Sequence, residues 1–447
     1  MAESPRFSRR RVLGATAAGA VSLAASGSRL EETLAARRAP AYIQMSGKIT
    51  YWGGLIFAED ANSLLVETIN QWGADNGVET EVVMINTNDM NQRISAAVES
   101  NTMPDAADLF LETLFLLANQ EGILAPVDDL FAEMGEAHGG WYESYTAATD
   151  TTAIAGSRLG IPYGGIGNFV IRRNDALSAA GFTEPPATWQ ELMDQAIAVN
   201  APPLFGFGLP LANVNDANVN VSILQAYGGR LADDEGKMVT LDSPETRTYL
   251  EWVMQGWDAG VYPPGNTVWD GTGDNTAYLG GQAAFVLNTG SVAISAKNDD
   301  PELYEATAFS PMPPGPVMAV SPINPSSRVI SAKSANIDAA KALIAHLANP
   351  EFIRSYFEVA TFAPALKDQA TFDIFDGRDP LLAVLRDLLE TGTPPGFPDV
   401  YNTAYGEVNA NFIIPKMIQR VVVDGYDFDR AIAEAQAAAQ AIYDKYN

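Results

Sequence analysis

The chain has 447 residues, 47% of them apolar and 18% charged, and no cysteine. That length exceeds one usual hydrophobic core, so two domains are expected, and the missing cysteine excludes disulfides, thiolate metal sites and a cysteine nucleophile. The net charge of −28 is unevenly spread: residues 1–40 hold seven Arg and three Glu, which leaves 20 basic against 52 acidic side chains after them, a surface that repels nucleic acid and anionic lipid.

Residues 1–40 read as a targeting segment with a linker, to be set apart from the fold. Ser8-Arg9-Arg10-Arg11-Val12-Leu13 resembles the twin-arginine export signal S-R-R-x-F-L, with Val for Phe. The weakly apolar stretch that follows, to Ala25, is too short for a membrane span. Lys48 to Trp52 then predicts a first strand ending at Gly53-Gly54. Glu59 to Asp75 has helical spacing through Leu64, Leu65, Thr68, Ile69 and Trp72. Thr80 to Ile85 predicts a second strand, Asn86 to Asp89 a helix start, and Asp108 to Leu111 a third strand before a helix through Leu116. Alternation of strand and helix is the pattern of a doubly wound α/β lobe.

Gly160 to Gly167 bends, Phe169 to Arg172 predicts a strand, and Gly181 stops a short helix. Thr188 with Glu191 three residues on forms a capping-box pattern, opening a helix with Trp189, Leu192, Met193, Ala196 and Ile197 at helical spacing. Farther on, Thr246 to Gly260 and Phe428 to Tyr446 read as helices.

The order of parts in 156–200 resembles a known family. Gly160-Ile161-Pro162-Tyr163-Gly164, Asn174, Leu177, Ala180-Gly181, Pro185-Pro186 and Thr188-Trp189-Gln190-Glu191-Leu192 follow the run G-I-P-Y-G…N…L-x-x-A-G…P-P-x-T-W-x-E-L. That run is found in extracellular solute-binding proteins of bacterial ABC importers, the sugar-binding kind related to maltose-binding protein. Arg173 stands where the family often has Tyr. Pieces such as Asp242-Ser243-Pro244-Glu245, Gly281-Gln282-Ala283-Ala284 and Pro311-Met312-Pro313-Pro314-Gly315-Pro316 extend the similarity over nearly all of the chain after the targeting segment.

The resemblance implies an α/β, two-lobed periplasmic binding protein type II fold. It implies lobes of 41–160 with 291–325 and of 161–290 with 326–447, joined by crossings near 160–166, 285–291 and 318–330. It further implies an exported monomer that binds a small solute, a sugar or oligosaccharide, and hands it to a membrane ABC permease. No cofactor, metal or nucleic acid is expected. A polyol, a glycerol-phosphate ester or a cationic osmolyte is the alternative solute, and a secreted carbohydrate-active enzyme the alternative class. The lipidated cysteine that anchors many such proteins is absent.

Ligands of open α/β sheets bind beyond the carboxyl ends of the strands. That rule selects Trp52 and Gly53, Asn86 and Asn88, Glu112 and Thr113, Tyr163 and Gly164, and Asn288, Thr289 and Gly290; Asn324 joins them in the last crossing. Aromatic rings, amides and a carboxylate suit a sugar, whose C–H faces stack and whose hydroxyls both donate and accept. Asn88 reads equally as a helix cap, and Glu112 as a favourable charge at a helix start. In the family the counterparts of Tyr163, Asn288 to Gly290 and the segment near Tyr405 line the cleft. The family often has a Trp after the glycine matching Gly290; none follows here, and Trp269 or Trp141 is the expected substitute.

Enzyme signals are sparse. His138 and His346 are the only histidines, no Ser-His-Asp, HExxH or P-loop pattern is present, and pairs such as Asp128-Asp129 are easy to find among 55 acids. Arg328 is the nearby cation, so phosphate-rich ligands are not expected to bind tightly.

Overall fold

The computed structural model describes residues 47–446 apart from Phe57, and the side chains of Thr87 and Asn88 also lie outside the described residues. The expected targeting segment, residues 1–40, falls outside them as well. The described residues form ten strands: β1 Lys48–Leu55, β2 Glu79–Asn86, β3 Ala106–Phe110, β4 Ile161–Gly167, β5 Phe169–Arg173, β6 Phe205–Phe207, β7 Ala283–Asn288, β8 Thr307–Ser310, β9 Ile323–Ile330 and β10 Ala363–Pro364. They form a six-stranded sheet, β10-β4-β9-β3-β1-β2, and a four-stranded sheet, β6-β7-β5-β8. The two-lobed α/β architecture is thus present. Parallel pairing of β1 with β2 and β3, and of β6 with β7, comes from helical crossovers, while β9 runs antiparallel to β3 and β4.

The first lobe follows the expected alternation. Helix α1, Glu59–Asn76, buries Leu65, Ile69 and Trp72 and ends at Gly77, whose φ of +70° is the left-handed conformation of a helix stop. Helix α2, Thr87–Ser100, and helix α3, Leu111–Ala118, pack Met90, Ile94, Leu114 and Leu117 against Ala107 and Leu109 of β3. The second lobe packs Trp189, Phe207, Tyr249 and Trp252 in one cluster, which also takes in Ile414, Ile418 and Ile432 from the closing helices. Thr188 Oγ1 accepts the Glu191 N–H at 3.1 Å as expected, but Glu191 reaches back to the Ala187 N–H at 2.9 Å, one residue past the Thr188 N–H of a full capping box.

The sheets divide the chain differently from the expected lobes. β4 belongs to the six-stranded sheet because β9 is its antiparallel partner, so the first crossing is at Asn168. Residues 285–291 are not a return: the helices Ser291–Asp299 and Pro301–Glu305 lead into β8, which pairs with β5 in the second lobe. The chain recrosses between Ser310 and Ile323, and the helix Pro350–Ala360 packs on α1. A third crossing follows residue 391. These segments are bound side by side: the Ile323 N–H donates to Thr393 O at 2.9 Å and the Thr393 N–H to Ser321 O at 2.8 Å. Glycine is needed where they touch, since a Cβ on Gly167 would lie 2.5 Å from Pro322 O and one on Gly392 2.2 Å from Ile323 Cδ1.

The first strand also runs longer than expected, through Gly53 and Gly54 to Leu55. Trp52 is therefore in mid-strand, paired with Val83 and Ala107, and its half-buried ring packs on the first-lobe core. Trp52→Ala should accordingly lower stability by about 2–4 kcal/mol in a urea titration. Ligand affinity per folded molecule should be nearly unchanged; a selective loss of affinity at full stability would return the ring to the ligand.

Candidate functional site

β1 and β3 of the first sheet and β6 and β7 of the second end at the crevice between the lobes. On the first-lobe side, α3 begins directly after β3, which puts Glu112 in its exposed first turn. Across the crevice, Tyr401 donates its hydroxyl to Glu112 Oε1 at 3.3 Å, and its ring stands 6.0 Å from Phe115 and 5.3 Å from Tyr405. Burial first, then the Glu112 charge, pushes the Tyr401 phenol well above its usual range, so it remains a donor. Asn324, on β9 opposite Ile166, is exposed at the same end of the sheet.

The crevice floor is ionic. A cavity of about 10 Å³, one water in size, is bordered by Gly54, Ile56, Asp108, Tyr163, Ser326 and Phe362 among others. Tyr51 donates to Asp108 Oδ1 at 2.6 Å, Arg328 Nε lies 3.4 Å from the same oxygen, and the guanidinium covers the Tyr163 ring at 4.0 Å. Arg328 is 1% and Asp108 6% exposed. Burial pushes the Asp108 carboxyl up, against the pull of Arg328 and Tyr51. Tyr163 thus borders the site from below. Arg328 is enclosed and paired, so it does not offer the crevice a free cation.

Several expected ligand residues have other work. Gly53 is buried, and a Cβ there would lie 2.7 Å from Met84 Sδ. Gly164 is packed under Phe357 at 3.0 Å in the same sense. Asn288 donates to Asp274 Oδ2 at 3.0 Å and Asn275 Oδ1 at 2.8 Å, and accepts from the Gly290 N–H and Ser291 Oγ, both at 3.0 Å, so its amide is occupied in starting the next helix. Gly290 has φ of +114°, a conformation that favours glycine, and Thr289 beside it is half-buried. Tyr405 is a core residue of the second lobe. Trp141 stacks on Phe131 at 4.7 Å and donates to its carbonyl at 3.0 Å, within the first lobe. Trp269 is half-buried over Gly273, where a Cβ would lie 2.3 Å from its ring. Asn88 lies in the first turn of α2, with its side chain outside the described residues.

Two acids that sequence reading did not single out stand at the second-lobe wall. Asp216 follows β6 in the turn Asn215–Asn218, and Asp274 opens the helix Gly273–Leu279 and is held by Asn288, the last residue of β7. Burial and then the Asp274 charge push the Asp216 carboxyl up to about 6. A carboxyl raised on folding favours the folded state below its unfolded value, and that contribution is lost as pH rises through the folded value. The unliganded protein should therefore lose about 1–3 kcal/mol between pH 4 and 7 at this site. Asp216→Asn should remove that slope in pH-dependent thermal melts; an unchanged slope would show that Asp216 is not its source.

Among the described residues no helix is long and apolar enough to cross a membrane, and no group of three or more His, Cys, Asp or Glu could hold a metal. His138 pairs with Asp368 at 2.8 Å, linking two first-lobe loops.

Solved structures share this architecture. The sugar-binding protein MalE of Xanthomonas citri superposes with a TM-score of 0.75 at 19% identity, covering 89% of this chain and 98% of that one. Maltose-bound MalE3 of T. maritima gives 0.73 at 19% identity over 89% and 100%. The GacH receptor of Streptomyces glaucescens, solved unliganded and with acarbose, gives 0.73 at 17% identity over 90% and 100%. A Brucella abortus protein named as a binding protein is 21% identical over 357 residues, 79% of this chain and 83% of that one. Residues 67–378 match the bacterial extracellular solute-binding protein family, which is well over half of the sequence. The chain belongs to the bacterial extracellular solute-binding proteins.

Proposed function

We propose that the protein is the exported solute-binding component of an ABC importer and takes a sugar or oligosaccharide into the crevice between its lobes. The observation that carries this is the Glu112–Tyr401 pair, with Phe115 beside it and Asn324 exposed at the same end of the sheet. It sets a carboxylate acceptor, a phenol donor, aromatic faces and an amide around one opening, as sugar hydroxyls and C–H faces require. The Tyr401 and Phe115 rings take the place of the tryptophan missing after Gly290. The sugar-binding neighbours add support by fold.

Both lobes touch the solute, so it stabilises their closed arrangement by its higher affinity for that state. The permease partner, monomeric state and twin-arginine export belong to the same proposal, as does binding without turnover. A thermal-shift screen against neutral oligosaccharides, amino sugars and polyols tests it, followed by calorimetry. A solute at 100 times its Kd should stabilise the protein by about 2.7 kcal/mol. Stabilisation by polyols alone, or catalytic release of sugar, would sink the carbohydrate-binding reading. The enclosure of Arg328 leads to a further expectation: a sugar bisphosphate should bind no tighter than millimolar in calorimetry. Micromolar binding would show that another cation lines the site.

A further inference from the structure

We infer, on the carbohydrate reading above, that Asp216 and Asp274 form a subsite for a protonated amine, so that the saccharide taken up carries an amino group.

Asp274 is 2% exposed, and only one of its carboxylate oxygens is bound: Oδ2 accepts from Asn288 at 3.0 Å, while Oδ1 has no partner. A buried unpaired carboxylate oxygen is costly, and the cost is met by a proton, a cation or a strong donor. The neighbouring side chain supplies none of these when ionised. Asp216 is a second acid, close enough for the charge of Asp274 to act on it. Its Oδ2 lies 3.9 Å from where a side chain on Gly271 would begin, which sets the half-buried Asp216 beside the loop that leads into Asp274. Neither acid forms an ion pair among the described residues, whereas most other buried or half-buried charges in the protein do, Asp108 and Asp399 among them.

The location is that of a ligand wall. Both acids stand beyond the carboxyl ends of the parallel pair β6 and β7, on the crevice side of the second lobe. The Trp269 ring covers Gly273, the residue before Asp274, and an aromatic ring beside a carboxylate pair suits an ammonium group. An ammonium offers three donors, enough for Asp274 Oδ1 and a carboxylate oxygen of Asp216 together. A neutral hydroxyl offers one donor and leaves the second charge uncompensated.

Calorimetry on the full chain with deacetylated chitosan trimer, its fully N-acetylated counterpart and calcium chloride tests this at pH 7. The amine form should bind at least tenfold more tightly than the N-acetyl form. Asp216→Asn and Asp274→Asn should each remove that preference, while Asp270→Asn, an exposed acid of the same loop, should keep it. Asp274 also holds Asn288, so if its variant does not fold, Asp216→Asn alone decides. Equal binding of the two trimers, or binding of neither while a neutral sugar binds, would overturn the amine subsite: the pair would then only share a proton, and the carbohydrate reading would stand. Calcium binding abolished by Asp216→Asn would overturn it in favour of a metal ion. Failure of every saccharide, aminated or neutral, would remove both.

Discussion

Asp108→Ala should cost about 3–5 kcal/mol of folding stability, the largest loss expected from one substitution near the site. Arg328 would be left as a buried charge without its carboxylate, held only by Leu347 O at 3.3 Å and the face of Tyr163. Tyr51 would lose its acceptor at the same time. The pair crosses neighbouring strands, with Asp108 opposite Arg328 in the β3–β9 register, so the damage falls at the centre of the six-stranded sheet. Replacing both charges, as in Asp108→Leu with Arg328→Met, should recover most of the loss, because desolvation of the two ions offsets much of their attraction. Urea titrations of the single and double variants give the comparison. If the double variant is no more stable than Asp108→Ala, the cost comes from lost packing and not from an orphaned charge.

The fold was legible where local rules and burial agree. Periodicity located α1 from Leu65, Ile69 and Trp72, and the Thr188 cap located the helix of the second lobe, because each needs only nearby residues. Partition between the sheets was not legible. β4 and β5 are separated by Asn168 alone yet lie in different sheets, and only the remote partners β9 and β7 decide that. Trp52 was misplaced for a related reason: two glycines read as a strand end, whereas Met84 on the adjacent strand takes the space that Gly53 leaves.

Site residues divide in the same way. Glu112 is selected by the sequence because a strand runs directly into a helix there. The resemblance points to Tyr405 and not to Tyr401, although the segment holds the signal that separates them. Asn402 caps the helix Thr403–Ala410, accepting the Tyr405 N–H at 2.9 Å, which places Tyr405 on the inner first turn and leaves Tyr401 before the helix. Asp216 and Asp274 carry no such signal. They are 58 residues apart among many acids, and only the pairing of β6 with β7, whose last residue Asn288 binds Asp274, brings them to one end of the sheet.

Tyr401→Ala should weaken ligand binding by roughly ten- to a hundredfold, about 1.4–2.8 kcal/mol. The ring forms one side of the opening between Phe115 and Tyr405, and the hydroxyl reaches the opposite lobe. Two roles are separable: a surface on which the solute stacks, and a tie that holds the lobes together. Tyr401→Phe keeps the ring and removes the donor, and Glu112→Gln keeps an acceptor while removing the charge. If stacking dominates, Tyr401→Phe should retain most of the affinity, and Glu112→Gln should add its own loss to that of Tyr401→Phe because each residue meets the solute separately. If the tie dominates, Tyr401→Phe should cost as much as the two changes together, since it already removes the bond that Glu112→Gln only weakens. Calorimetry of the four proteins with the solute from the screen decides between them. Full affinity in Tyr401→Ala would place the solute away from this opening altogether and leave the Glu112–Tyr401 bond as a contact between lobes.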